Sequence, residues 1–343
     1  MHVPDGFLDV PTSIATGAVA AGTIAVALNR SKNEMTEKSA PIAGLTAAFV
    51  FAAQMLNFPV GVGTSGHLMG GALAAVLVGP WTAILVMSVV LLVQALVFAD
   101  GGLTALGTNI VLMGIVTVAV GWGVSRLMLR VLPKRPTTVV PAAFVGALLS
   151  VPAAAAVFVL LYVIGGAVEL PVGALMGTML GWHTLIGLGE ALITAATVGA
   201  VIAVRPDLVY AARDLQPELE LRGAAGEVIP PTPASPADPA DRRSPWPLLV
   251  GGLGVTFILA GVVSFFASGN PDGLEFVAEQ EGFLDTAEDS AVGGLALADY
   301  GEVGGIPVGV AGLIGVGITL LVGLAIFWLV SRRASRAQST LRA

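Results

Sequence analysis

Apolar runs alternate with short polar breaks along the chain, and the pattern predicts helices at 12–29, 41–58, 67–79, 81–98, 107–130, 139–164, 183–204, 247–267 and 307–330. A helix needs about 17–25 apolar residues to cross roughly 30 Å of hydrocarbon. Several of the runs reach that length, and Gly and Ala dominate them, as in closely packed membrane helices. No succession of alternating ten-residue segments points to a barrel. The expected fold class is therefore all-α: a polytopic membrane helix bundle, since lipid leaves backbone groups no partner outside a helix or a closed barrel. The third segment is short. At about 1.5 Å per residue it covers around 20 Å, so it either crosses or re-enters, with Gly79-Pro80 as the turn into the next helix.

The basic residues decide the parity. If all nine segments cross and the N-terminus is outside, every Lys and Arg falls on the cytoplasmic side. These residues are Arg30, Lys32 and Lys38; Arg126, Arg130, Lys134 and Arg135; Arg205, Arg213, Arg222, Arg242 and Arg243; and Arg332, Arg333, Arg336 and Arg342. The expectation is a multi-pass protein of the cell membrane with its N-terminus outside and its C-terminus cytoplasmic.

Residues 206–246 are polar, and their IPPTPASPADPADRRSP core is too rich in Pro and too poor in large apolar residues to fold alone. They read as a disordered cytoplasmic linker between a seven-helix unit at 1–205 and a two-helix tail at 247–343. The loop between the last two helices, 268–306, carries nine acidic residues from Asp272 to Glu302 and no basic one. It reads either as a solvated outside loop or as a cation-attracting surface.

Hydrophobic residues make up 55% of the 343 and charged ones 11%, which makes the bilayer the solvent. There is no cysteine, so disulfides, thiolate metal sites and thiol catalysis are excluded, and any metal must use N or O ligands. The start, MHVPDGFLDVP, lacks the basic n-region of a cleavable signal, so Met1 is expected to remain in the mature protein.

That retention gives His2 its interest. A free α-amine, the next backbone nitrogen and Nδ1 of a histidine at position two can close two adjacent chelate rings in one plane. Ni(II), Cu(II) and, less strongly, Co(II) offset the cost of ionising the amide through strong planar N ligation. His67, in the small-residue run VGVGTSGHLMGG after the second helix, is the candidate fourth nitrogen. It is expected to end the outside loop and open the third helix. The first eleven residues would then dip into the bundle as a plug, with Asp5 and Asp9 holding it.

Four further residues are candidates for the shell around such a site. His183 and Glu190 share one face of the seventh helix, with His183 near its outer end beside Trp182 and Glu190 about two turns deeper. Glu190 could orient a histidine N–H or bond another helix. Asn109, with Gln54, Asn57 and Gln94, suits interhelical hydrogen bonding, and Ser65 lies two residues before His67. Met55, Met69 and Met113 read as packing.

The segments MHVPDGFL, GTSGHLMGGALAAVLVGPW at 63–81, LVQALVFADGGLTALGTNIVLMG at 92–114 and WHTLIGLGEALIT at 182–194 resemble the cobalt/nickel substrate-capture subunits, CbiM and NikM, of energy-coupling factor transporters. The resemblance covers about 1–205. NPDGLE at 270–275, between two helices, is similar to the small partner CbiN and its PDGLE-domain relatives.

The resemblance implies a capture subunit that holds Ni2+ or Co2+ through the Met1 amine, the backbone and side chain of His2, and His67. The ion is then cargo, and no resident cofactor is implied. It also implies partners: a CbiQ-like membrane coupling subunit and CbiO-like cytoplasmic ABC ATPases, because this chain has no GxxxxGK[ST] loop of its own. The fused tail would act in loading or releasing the ion. Two other readings stand beside this one. Gly63-Thr64-Ser65-Gly66 fits the GxSG pattern of intramembrane serine proteases, with His183 as base to Ser65. A passive metal channel would need no ATPases.

Overall fold

The computed structural model describes residues 1–35, 39–61, 63–215, 221–222, 228–229 and 244–340. Helix α1 is Val10–Arg30, started by Asp9, whose carboxylate accepts from Thr12 N at 2.9 Å, and by a proline in its first turn. Helix α2, Ser39–Gln54, leads into an antiparallel hairpin of β1, Phe58–Gly61, and β2, Thr64–Gly66. Then come α3, Gly71–Val78, and α4, Pro80–Val93, which widens into a π turn over Gln94–Phe98. Helix α5, Leu106–Asn109, passes through a π stretch, Ile110–Val116, into α6, Thr117–Val131. Helices α7, Val139–Gly165, and α8, Val172–Val204, complete the first unit. A two-residue pair, β3 at Leu221–Arg222 and β4 at Val228–Ile229, precedes α9, Trp246–Gly261, then α10, Gly273–Glu281, and α11, Val308–Thr340.

Among the described residues six stretches are long and apolar enough to cross a membrane, and α2 and α9 are shorter apolar helices. Ile14, Leu160, Ile164 and Phe266 lie exposed on the outside of the bundle, where lipid would cover them. The fold class is that of a polytopic helical membrane protein.

The third predicted segment departs from expectation. Residues 67–70 are not helical and only α3 is, so His67 precedes the helix by four residues instead of opening it. Gly70, at φ 85°, takes a left-handed conformation that a helix cannot continue through. The segment still runs from one end of the bundle to the other. His67 meets Met1, whereas just past Gly79 the amides of Trp81 and Thr82 donate to the Glu34 carboxylate, at 3.1 and 2.7 Å, beyond the far end of α1.

Helix α8 begins at Val172, about three turns before the predicted 183. The glycines at 173, 177 and 181 all face open space on a helix that lipid obliges to stay hydrogen-bonded. His183 is therefore not at a helix end beside Trp182. It lies well inside α8 and is fully buried.

Two polar regions are more ordered than expected. Residues 206–215, the start of the predicted linker, form two 3₁₀ turns that bury Val209 and Ala212, and Arg213 donates to the Glu34 carbonyl at 3.0 Å. Most of the Pro-rich core, 230–243, lies outside the described residues. The acidic loop 268–306 is not a free solvated loop. It carries α10 and lies over the N-terminal segment, with Phe283 packed on Phe7 at 5.0 Å between ring centres and Glu288 N donating to Asp5 O at 2.9 Å. Leu274, Val277 and Phe283 are its buried anchors.

Candidate metal centre

Residues 1–9 form a strap drawn into the bundle, with Met1 only 3% exposed and Val3 fully buried. Hydrogen bonds fix the strap along its length. Asn109 clamps Val3, accepting from its N–H at 2.7 Å and donating to its carbonyl at 3.0 Å. The Asp5 carboxylate accepts from Leu103 N at 3.1 Å, Thr104 N at 2.8 Å and the Thr104 hydroxyl at 2.5 Å. Asp9 N donates to Gly165 O at 2.7 Å. Asp5, Asp9 and Asn109 thus hold the strap and do not point at its tip.

At the tip, the Met1 amine lies 2.5 Å from His67 Nε2 and 2.5 Å from Asp272 Oδ2, and those two atoms are 3.5 Å apart. His67 Nδ1 sits 3.0 Å from the Leu68 carbonyl, which can only accept. Its proton is therefore on Nδ1, and the Nε2 lone pair faces the amine. The His2 ring stacks on His67 with centres 5.0 Å apart and planes 21° apart. Its nitrogens are engaged elsewhere: Nδ1 is 3.1 Å from Asp100 Oδ1, and Nε2 is 3.3 Å from Gln94 Oε1. Nδ1 is thus directed at Asp100 and not folded back over the amine.

Burial lowers the His2 pKa to about 4 against the opposing charge of Asp100, so its imidazole is neutral at physiological pH. Burial pushes the Asp272 carboxyl up, but the Met1 charge and the contact with His67 outweigh it and hold the group well below the usual carboxylate range. Tyr300 donates its hydroxyl to Asp100, and burial together with that carboxylate pushes its pKa well above the ordinary tyrosine value. Tyr300 and Asp299 hold left-handed backbones, φ 51° and 47°, a conformation costly for side-chain-bearing residues.

The remaining candidates divide. Glu190 accepts from Met69 N at 2.6 Å and Gly70 N at 3.0 Å, so it fixes the backbone just after His67 and not a histidine ring. Ser65 donates to the Asn270 carbonyl at 2.8 Å and to that of Pro271 at 3.2 Å. His183 Nδ1 lies 2.8 Å from Met179 O, and its Nε2 has no hydrogen-bond partner among the described residues. Ser65 and His183 do not bond each other, so the GxSG run is a docking strand for the tail and not half of a catalytic dyad.

Asp100, Tyr300 and the contact of Asp272 with Met1 are brought to the site by the fold, and Gln94, which by sequence suits interhelical bonding, meets the His2 ring instead. One local signal existed: Pro-Asp-Gly-Leu-Glu reads as an N-cap, and Asp272 Oδ1 does accept from Leu274 N and Glu275 N at 2.8 and 2.9 Å.

A cavity of about 470 Å³ opens onto the tip, lined among others by His2, His67, Asp100, Asp272 and Glu275. Among the described residues no three His, Asp or Glu side chains converge at ligand spacing, so an ion held here depends on the terminal amine. Adjacent ligands at about 2.0–2.1 Å from a first-row ion lie roughly 2.9 Å apart, against 2.5, 2.5 and 3.5 Å among the three groups at the tip.

A membrane bundle whose buried amine, imidazoles and carboxylate meet beneath an acidic cover is a protein for handling cations. The family described as the cobalt uptake substrate-specific transmembrane region matches residues 2–208, and the PDGLE domain matches 246–332. The chain belongs to that cobalt-uptake family, with a PDGLE tail fused to it. It is 41% identical over 216 residues, 61% of this chain and 68% of the other, to an Archaeoglobus fulgidus protein provisionally named a fused nickel transport protein, NikMN. It is 38% identical over 135 residues, 38% of each chain, to the cobalt transport protein CbiM of Geobacter sulfurreducens. A crystal structure described as a truncated transition metal transporter matches at TM-score 0.51 and 30% identity, covering 59% of this chain and 99% of that one. The protein is a transport component of the membrane and not an enzyme.

Proposed function

We propose that the chain is the ion-capturing membrane component of an energy-coupling factor importer for Ni2+ or Co2+. The observation that carries this is the convergence of the Met1 amine and His67 Nε2 at 2.5 Å, with the His2 ring stacked beside them, in a buried site. The ligands are the Met1 amine, the His2 backbone nitrogen, His2 Nδ1 and His67 Nε2, a set that suits Ni(II) and also serves Co(II).

Loading requires His2 Nδ1 to turn from Asp100 toward the ion. It also releases protons, because the terminal ammonium and the His2 amide must each lose one. Asn109 and Asp5 keep the strap in place while this happens. Glu190 holds the backbone just after His67 still.

The N-terminus and the acidic cover face outward in this account. The described basic residues at the ends of α1, α6, α8 and α11 gather at the opposite end, which fits a cytoplasmic face. The capture unit over 1–205 and the tail over 247–343, joined through 206–246, work as one piece. A CbiQ-like coupling subunit and CbiO-like ATPases would distort the bundle so that the nitrogens part and the ion leaves inward.

The test is elemental analysis of the purified chain together with mass spectrometry of its N-terminus. The account expects about one Ni or Co per chain with an unblocked Met1. A metal-loaded chain whose Met1 has been removed or acetylated would overturn it.

A further inference from the structure

The tail does more at the site than cover it. The carboxylate of Asp272 is divided between two tasks: Oδ1 caps α10, accepting from Leu274 N and Glu275 N, while Oδ2 points at the Met1 amine from 2.5 Å and at His67 Nε2 from 3.5 Å. The loop before it is fixed from the other side. Ser65 N donates to the Pro271 carbonyl at 2.9 Å, and the Ser65 hydroxyl donates to the Asn270 carbonyl. Gly273 leaves no room for a side chain, since a Cβ there would stand 2.5 Å from Ile186 Cδ1 and 3.3 Å from His183 Cε1. A side chain held this tightly, with one oxygen spoken for by its own helix, presents the other oxygen at a set position.

We propose that Asp272 is itself a ligand, and that its Oδ2 joins Met1 N and His67 Nε2 on the captured ion. The inference rests on the nitrogen site proposed above and adds an oxygen to it from the other unit of the chain. The ion is then five-coordinate, four nitrogens and one carboxylate oxygen, and its ligands come from both family-matched regions, 2–208 and 246–332. An oxygen donor softens the preference of a planar four-nitrogen set for Ni(II) and Cu(II). It also makes capture depend on the tail, because without residues 268–306 the fifth ligand is gone.

X-ray absorption at the nickel K-edge of the full-length, Ni(II)-loaded chain tests this, with Asp272→Ser and Asp272→Asn beside the native protein. Ser and Asn both keep the cap of α10, so the tail stays folded. The expected native spectrum is five-coordinate with a short oxygen shell and without the pre-edge feature of planar Ni(II). In D272S that feature should emerge, the oxygen shell should vanish and Kd should rise about tenfold. A planar four-nitrogen spectrum in the native chain overturns the proposal, as does an oxygen shell unchanged in D272S. His67→Ala separates the two readings. If H67A retains native affinity, the nitrogen site itself is wrong; if H67A loses binding while D272S matches the native chain, only the role of Asp272 is wrong.

Discussion

His2 Nδ1 lies 3.1 Å from Asp100 Oδ1, and the Tyr300 hydroxyl of the tail holds the same carboxylate. The orientation of the N-terminal imidazole is thereby set by a residue about 100 positions away and stabilised by one from the other unit of the chain. Burial keeps that imidazole neutral, with its pKa near 4.

A pH dependence follows. The undocked strap carries a His2 of ordinary pKa, about 6.5, whereas the docked one titrates near 4. Between these values the undocked state binds more protons, so docking is fully favourable above about 6.5 and weakens as pH falls toward 4. The loss approaches about 1.4 kcal/mol per pH unit within that window. Reactivity of the α-amine toward an acylating reagent, corrected for the amine's own ionisation, should rise with acid in the native chain and show no such window in His2→Ala.

Asp5→Ala removes the acceptor of three hydrogen bonds that tie the strap to residues 103 and 104. Bonds to a charged acceptor contribute about 1.5–3 kcal/mol each, so even partial compensation leaves docking weaker by about 2 kcal/mol. Nickel Kd should rise roughly 30-fold by equilibrium titration, with the thermal stability of the bundle little changed.

Glu190→Ala leaves the amides of Met69 and Gly70 buried without an acceptor. The unmet desolvation cost is about 1–3 kcal/mol per group, and the chain just after His67 should shift to relieve it. Both the melting temperature in detergent and the nickel affinity should fall, whereas a change confined to the surface of α8 should alter neither.

Gly101 holds φ 86°, and a Cβ there would stand 2.8 Å from Asn109 Nδ2 and 3.4 Å from His2 Cβ. Gly101→Ala therefore strains the backbone and presses on both the clamp and the chelating residue. A loss of nickel affinity of about tenfold, read by isothermal titration, is the expected result.

Much of the bundle was legible because lipid makes hydropathy nearly sufficient: most of the predicted segments recur as helices near their expected bounds, whereas α8 starts at Val172 and not 183, and α11 runs to Thr340 and not 330. Two of the departures turn on glycine. Glycine reads as a breaker in water, yet within α8 three glycines are absorbed without effect, while Gly70 does break the third segment because its φ is 85°. At the site, Met1, His2 and His67 were legible because a histidine at position two has chemistry that depends on sequence position alone. Asp100, Tyr300 and Asp272 were not, because their roles arise from contacts across the fold that no local spacing encodes. The acidity of 268–306 suggested solvent, but buried Leu274, Val277 and Phe283 decide where that loop lies.

The central claim is a chelate that requires the amine of Met1 directly before His2. Acetylating the Met1 amine keeps every side chain but removes the first nitrogen of the chelate. Competition titration against a nickel-binding dye should show a Kd at least about a thousandfold higher than that of the native chain, equivalent to about 4 kcal/mol, with an unchanged melting temperature for the bundle. Native nickel affinity in the acetylated chain would contradict the account.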